Sequence, residues 1–544
     1  VLTDHAALSP FERLLTLFTR VRPGEGRSAF LFFLHGFLLL FSYMVVKALR
    51  EAFILTDFSA EVRAYAVAVI ALVLMFVVPA YGAVRRRIDG AKLLQAVTVF
   101  FSACMLAFAV AGHLRVSMSF VFFVWVSIFG VMMIAQFWAF AADTFNVKSG
   151  QRLFPVIMVG ANCGALAGAK CAELVVDALQ PVGLMVVATG VLLATLAVAH
   201  PARVAVPDGS RALAPEHGAK APKLLGGIEL VLRDRYLLLI ALLVVLLNWI
   251  NSTGEFILAD LVTRDADAQV AASGGAVTKA AAITAFYGNF QFWVTLLSLT
   301  VQLLLVARIY RWIGVRGALL VQPLIVALGY GLIVFVPIFS IIRLVKIAEN
   351  SGDYSLMNTT RHALFLPVDR DAKYEGKTAI DTFFWRIGDL IQAGVVFAGL
   401  RWLDWHAAQF ALLNLALALV WIGLAVAIGR EYKTLAQSSL FNVPPERGQP
   451  IPDLVYAPGR PFRHLVPDDA FRDADPGDVL HLSARLHGGH PLPHWVRFDT
   501  RRRAFLGATP TSYSEEITIE VMASDIDGMQ VASLFVMRRL TPAD

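Results

Sequence analysis

Charged residues recur inside stretches that are otherwise almost wholly apolar. Lys47, Arg50 and Glu51 close the first such stretch, and Lys170 and Glu173 lie in the fifth. The seventh carries Asn248, Asn251 and Glu255; the tenth carries Arg343, Lys346, Glu349, Asn350, Asp353 and Arg361; the eleventh carries Asp381, Arg386 and Asp389. An ionisable group at membrane depth is costly and by default marks a pathway or a relay. Guanidinium and ammonium groups there suit a phosphate or carboxylate, whose attraction goes unscreened in a low dielectric. Carboxylates suit a gate or a proton-coupling role. Lys47, Arg50, Glu51, Asn251, Glu255, Arg343, Lys346, Asn350 and Arg361 are therefore expected to bind a solute. Asp353, Asp381, Arg386 and Asp389 are expected to gate or couple. Arg343, Lys346 and Asn350 follow at steps of three and four, as do Asn248, Asn251 and Glu255, so each set falls near one helix stripe. The competing reading is mutual ion pairing, strongest for Arg386 and Asp389, one turn apart.

The elements that hold these groups follow from composition. Of 544 residues, 57% are hydrophobic and 16% charged, with a mean hydropathy of +0.65. Soluble domains carry about 25% charged residues, so a soluble enzyme, a DNA-binding protein and a disulfide scaffold are excluded. Twelve spans are expected, near 29–49, 63–84, 93–112, 118–142, 153–174, 182–200, 236–259, 281–306, 317–337, 338–360, 378–402 and 405–429, each long enough for a hydrocarbon core about 30 Å thick. Basic clusters precede the first span (Arg13, Arg20, Arg22, Arg27) and follow the second (Arg85, Arg86, Arg87), fourth (Lys148, Arg152), eighth (Arg308, Arg311, Arg316) and twelfth (Arg430, Lys433). By the positive-inside rule both termini face the cytoplasm. Residues 1–28 have no cleavable-signal pattern, so the first span is expected to be retained.

Residues 201–235 hold four prolines and read as a cytoplasmic linker between six-span halves, 1–200 and 236–435. Two halves joined this way predict an all-α, major-facilitator-like transporter with a central cavity. Gly160, Gly164 and Gly168 form a small-residue face suited to tight helix packing. No metal-ligand spacing, phosphate loop or nucleophile–base set occurs, so neither cofactor nor enzymatic activity is expected. A proline-rich linker at 436–453 then leads into short alternating runs over 454–544, the pattern of a β-sandwich. The last 104 residues hold 11 Arg, no Lys and 14 acidic residues.

The run from Ser42 through Lys47, Arg50 and Glu51 to Thr56 resembles the first-span signature of the nucleotide (ATP/ADP) translocases of plastids and intracellular bacteria. Phe137–Ala141, Arg152–Pro155 and Gly160–Asn162 are similar to the same family. So are Asp353–Leu356, Pro367–Asp369 and Gly376–Asp381, the most specific stretch. The resemblance covers about residues 25–430 and implies an exchanger of adenine nucleotides. It places Arg50, Glu51, Glu255, Arg361 and Lys377 on family positions. It departs at Ser127, where the family has a glutamate, at Ala259, where it has a lysine, and at Trp385–Asp389. That last ending resembles homologues of free-living bacteria. Residues 454–538 resemble a dystroglycan-type cadherin-like immunoglobulin-fold domain through Phe471–Asp478, Pro491–Asp499, Phe505–Pro510 and Ala523–Gly528, with Asp473, Asp475 and Asp478 as possible oxygen ligands for Ca²⁺ or simple turn residues.

The expectation is a multi-pass protein of the bacterial inner membrane that moves a small anionic, phosphorylated solute, nucleotides being favoured. The alternatives are a carrier of a lipid or envelope precursor, or a transporter-derived scaffold. Its partners are the bilayer, the solute and a possible protein or glycan bound by the sandwich; nucleic acid is not among them.

Overall fold

The structure is a computed structural model that describes residues 22, 24–85, 90–114, 116–207, 224–336, 338–368, 375–440, 445–473, 480–500, 502–508, 510, 516–525 and 529–540. The chain forms two compact units, Val1–Phe365 with Glu375–Arg430, and Leu366–Tyr374 with Glu431–Asp544. The expected Arg86 and Arg87, the middle of the 201–235 linker, and Asp475 and Asp478 lie outside the described residues.

The first unit is helical. Its elements are α1 (Gly26–Asp57), α2 (Ala60–Arg85), α3 (Gly90–His113), α4 (Ser119–Thr144), α5 (Val147–Val204), α6 (Leu224–Arg233), α7 (Arg235–Ala272), α8 (Lys279–Leu304) and α9 (Val306–Phe335). Next come α10 (Phe339–Gly352), a π-helical turn at Asp353–Met357, and α11 (Asn358–Ala363). The unit closes with α12 (Lys377–Ala379), a second π turn at Ile380–Phe384, α13 (Trp385–Arg401) and α14 (Ala407–Leu440) as far as Arg430.

Nine helices among the described residues are long and apolar enough to cross a membrane. One of them, α5, bends at Gln180 (φ 55°, ψ 163°) and so supplies the fifth and sixth crossings. Pro181 accounts for Gln180 leaving the helical region, because α backbone is disfavoured before proline; its positive φ is not part of that preference. The eighth and tenth spans are α8 and the interrupted run from Phe339 to Ala363, the most polar of the set. The seventh span runs past its expected end at 259 to Ala272. Side-chain caps start several helices where the chain turns back: Asn146 accepts from the Ser149 amide at 3.0 Å, and Asp234 from Leu237 at 2.8 Å.

Glycines set the closest approaches. A Cβ on Gly160, Gly164 or Gly168 of α5 would stand 2.5, 2.0 or 2.3 Å from the carbonyl oxygen of Phe33, Phe37 or Phe41 of α1. Both helices repeat every four residues, so the stripe meets a matching backbone ridge. Gly288 of α8 lies against the backbone of Ala169 and Glu173, which joins the two halves.

The second unit is a β-sandwich. One sheet orders β2 (Leu454–Tyr456), β9 (Gln530–Arg539), β8 (Ile517–Ser524) and β5 (His481–Leu486); the other orders β3 (Pro461–Leu465), β7 (Ala504–Ala508) and β6 (Val496–Asp499). A two-residue pair, β1 (Glu446–Arg447) with β4 (Phe471–Arg472), lies outside both. Strands β5, β6, β8 and β9 fall on the expected alternating runs. The sheets face each other through aromatic contacts, Phe505 on Phe535 at 5.1 Å and Tyr456 on Trp495 at 6.3 Å. Arg485 stands opposite Glu520 and pairs with it at 2.6 Å, holding that carboxyl below its usual range.

His464 packs 4.9 Å from Phe535, and its Nε2 is buried without a hydrogen-bond partner. Burial lowers its pKa below the usual 6.5, opposed by the Pro452 carbonyl and Asp453. A base whose folded pKa is depressed stabilises fully above its unfolded pKa and loses that contribution as pH falls through it. Hydrogen exchange across β3 and β9 is therefore expected to lose protection below about pH 6.5, and His464→Phe should abolish that acid dependence. An unchanged acid response in the variant would exclude His464 as its source.

Candidate functional site

The charges of α1, α2, α7 and the tenth span meet in one connected ladder. Arg50 donates to Glu51 Oε1 at 2.5 Å and to Ser127 Oγ at 3.0 Å, and its guanidinium lies 4.6 Å from the Phe123 ring centroid. Glu51 accepts from Arg63 Nε at 2.6 Å, and Arg63 Nη2 approaches Glu255 Oε2 at 3.6 Å. Glu255 Oε1 accepts from Asn350 at 3.0 Å and stands 3.8 Å from Lys346 Nζ. Lys346 donates to Asn251 Oδ1 at 2.9 Å and pairs with Glu349 at 3.0 Å. Tyr330 donates to Glu349 Oε2 at 3.1 Å and ends the chain.

Glu51, Arg63, Lys346 and Glu349 are 3, 5, 1 and 3% exposed. Charges so buried survive only when paired and hydrogen-bonded, and the ladder meets that condition rung by rung. Gly254 makes the crowding possible, since a Cβ there would lie 1.9 Å from the Tyr330 hydroxyl and 2.9 Å from Lys346 Nζ. The Arg63–Glu255 rung crosses between the halves. Glu61 of α2 and Arg401 of α13 do so again, at 3.0 Å.

Lys47 stands apart from the ladder. Its Nζ donates to Gln291 of α8 at 3.1 Å and lies 6.0 Å from the Tyr354 ring. Among the described residues no carboxylate comes within ion-pair distance of it. Tyr354 is 49% exposed although its ring faces the Lys47 ammonium of α1 from the opposite half.

About 22 Å along the tenth span from Lys346, Arg361 faces Asp381 at 3.8 Å and lies 4.8 Å from the Trp385 ring. Its Nε and Nη1 are buried and make no hydrogen bond, nor does Asp381 Oδ1. Arg386 stands 3.5 Å from Asp389, whose other oxygen accepts from Ser252 at 2.9 Å. Asp353, within the first π turn, is half-buried between these clusters. A third group forms at the seam of α5 and α8. Lys170 pairs with Glu173 at 2.9 Å, Asn289 donates to Glu173 at 2.9 Å, and Arg343 donates a short bond to Asn289.

The structure thus joins Arg50, Glu51, Asn251, Glu255, Lys346 and Asn350 in one network and places Lys47 beside it. Arg361 and Asp381 form a second site, and Arg386 with Asp389 a pair against α7. Arg343 does not share the stripe of Lys346 and Asn350; it turns to α8. Sequence reasoning missed Arg63, which looked like the interfacial end of the second span. Its signal was position: it follows Glu51 across the short α1–α2 turn, so the hairpin folds it back onto α1. Among the described residues no group of three or more His, Cys, Asp or Glu could hold a metal ion.

These helices make a multi-pass membrane protein with the architecture of a solute transporter. The chain aligns with solved structures of the nucleoside transporter NupG (TM-score 0.52, 12% identity, 75% of this chain and 99% of that one). It also aligns with an auto-inhibited POT family peptide transporter (TM-score 0.52, 13% identity, 76% and 97%). In sequence it is 25% identical over 370 residues to ADP,ATP carrier protein 1 of Chlamydia pneumoniae, spanning 59% of this chain and 68% of that one. The same carrier of Chlamydia trachomatis serovar D is 25% identical over 322 residues, spanning 51% and 58%. No protein-family model matches the chain.

Proposed function

We propose that the protein is an alternating-access carrier of an anionic, phosphorylated solute, with a nucleotide the favoured cargo. The observation that carries this reading is Lys47, a cation inside the helical unit whose neighbours are a neutral amide and a half-exposed tyrosine ring. Phosphate would supply the missing counter-charge, and Tyr354 offers a face for an aromatic base. Arg361, with two unbonded nitrogens, would take a second charge. The ladder would act as the gate: Arg63–Glu255 and Glu61–Arg401 hold the halves together at the α1–α2 end and must part for the cavity to open there. The chlamydial ADP,ATP carriers support the nucleotide reading.

In this reading residues 1–200 and 236–435 are the two moving halves, both termini lie in the cytoplasm and the membrane is the bacterial inner one. The sandwich at 454–544, with its cadherin-like pattern, would recruit a protein or glycan. A second reading, a carrier of a lipid or envelope precursor or a scaffold derived from one, is favoured by Ser127 and Ala259, where the translocase pattern has charges.

A thermal-shift screen of the detergent-purified protein against nucleotides, sugar phosphates and lysophospholipids separates these. A ligand at 100 times its Kd adds about 2.7 kcal/mol to the folded state. Stabilisation by ATP or ADP is expected, and Lys47→Gln should remove it. A response to lysophospholipid alone would overturn the nucleotide reading.

A further inference from the structure

The side of the tenth span turned away from the ladder carries a second feature. Between α8 and α10 runs a groove of about 700 Å³ walled by Trp293, Leu296, Leu297, Leu344 and Ile347, with Arg343 and Ser340 at one end and Thr300 at the other. That volume lies in the range of ligand sites, about 300–1,000 Å³. Two helix registers fix which way it faces. Gln291 of α8 points inward to Lys47, and Trp293, two residues on, lies about 200° round the helix. Lys346 of α10 points inward to Glu255, and Leu344, two residues before it, is likewise about 200° away. Trp293 and Leu344 are accordingly 47% and 65% exposed. The groove therefore lies on the outer face of the helical unit, turned away from Lys47 and the ladder, where the bilayer would meet it.

Arg343 is the anomaly of this face. Its partners are the Asn289 side-chain oxygen and the Phe286 ring, 5.6 Å away. Among the described residues no carboxylate comes within ion-pair distance of it. Lys170, 40% exposed in its side chain, joins the same group through Glu173 and Asn289, which leaves the cluster with one net positive charge. A cation held at membrane depth without an anion is expensive. We propose that the anion comes from the bilayer: an anionic phospholipid sets its phosphate on Arg343 and Ser340 and lays one acyl chain along the Trp293–Leu344 groove. The apolar walls exclude a freely soluble phosphate as the natural occupant, and the charge selects against zwitterionic lipid. This site does not depend on the solute reading.

Trp293 reports on the site directly. In proteoliposomes, brominated phosphatidylglycerol and brominated phosphatidylcholine are compared as quenchers, and the difference between wild type and Trp293→Phe isolates Trp293 from the other nine tryptophans. Half-quenching of that component is expected at about tenfold lower mole fraction of the anionic lipid, equivalent to about 1.4 kcal/mol. Arg343→Gln should bring the two lipids level. Ser340→Glu, which sets a carboxylate beside Arg343 and keeps the guanidinium, should do the same and serves if the first variant fails to fold. Equal quenching by both lipids in the wild type would overturn the proposal. So would relief of quenching by soluble glycerol 3-phosphate, because the head group alone would then fill the site.

Discussion

Lys346→Ala is expected to abolish solute transport and to lower thermal stability at the same time. The ammonium is 1% exposed and stands between Glu349 at 3.0 Å and Glu255 at 3.8 Å. Removing it takes the cation from between two carboxylates, one of them, Glu349, almost wholly buried, and breaking a buried pair in this way costs about 3–5 kcal/mol. Lost transport alone would therefore not distinguish a binding role from a structural one. Lys346→Ala combined with Glu349→Gln removes one charge of each sign and should recover most of the lost melting temperature. Transport is expected to stay absent in the double variant, because Glu255 would still lack the cation that competes with Arg63 for it. Recovery of uptake together with stability would reduce Lys346 to a structural counter-ion.

Gly164→Ala is expected to destabilise the helical unit although it adds one methyl group. That methyl would stand 2.0 Å from the Phe37 carbonyl oxygen and 2.6 Å from its Cα, so backbone must yield rather than a side-chain end. Overpacking costs about 1–3 kcal/mol where side chains can adjust, and the upper end is expected where they cannot. Gly190→Ala is the matched control, since a Cβ there meets nothing within 4 Å. Melting of the two variants in detergent should differ by several degrees. Equal melting temperatures would show that α1 and α5 can part without loss.

The crossings were legible because apolar runs of about 20 residues admit little else, and so was the Gly160–Gly168 face, whose spacing suits close helix contact. Spacing also brought together pairs one turn apart, such as Arg386 with Asp389 and Lys170 with Glu173. It could not name partners on other helices: periodicity assigns a residue to a face, but not the neighbour which that face meets. Lys47 with Gln291 and Arg63 with Glu255 are bonds of that kind. Arg343 and Lys346 differ by about 60° on an α-helix, close enough to share a stripe on paper. The structure divides them because the boundary between interior and bilayer face runs through that angle. The two π turns left no pattern in the sequence that hydropathy could register.

Those turns have a mechanical meaning. A π turn is one residue too many in an α-helix, a dislocation that rotates everything beyond it by about 100°. Such a fault can migrate along the rod, at each step exchanging one backbone hydrogen bond for another while both ends stay where they are. Asp353 and Tyr354 sit inside one fault and Asp381 inside the other. The residues that face Lys47 and Arg361 are thus the ones a travelling dislocation would swing round the helix axis. Migration of either fault would re-aim side chains of the tenth and eleventh spans by torsion, on a scale far smaller than a whole-domain displacement.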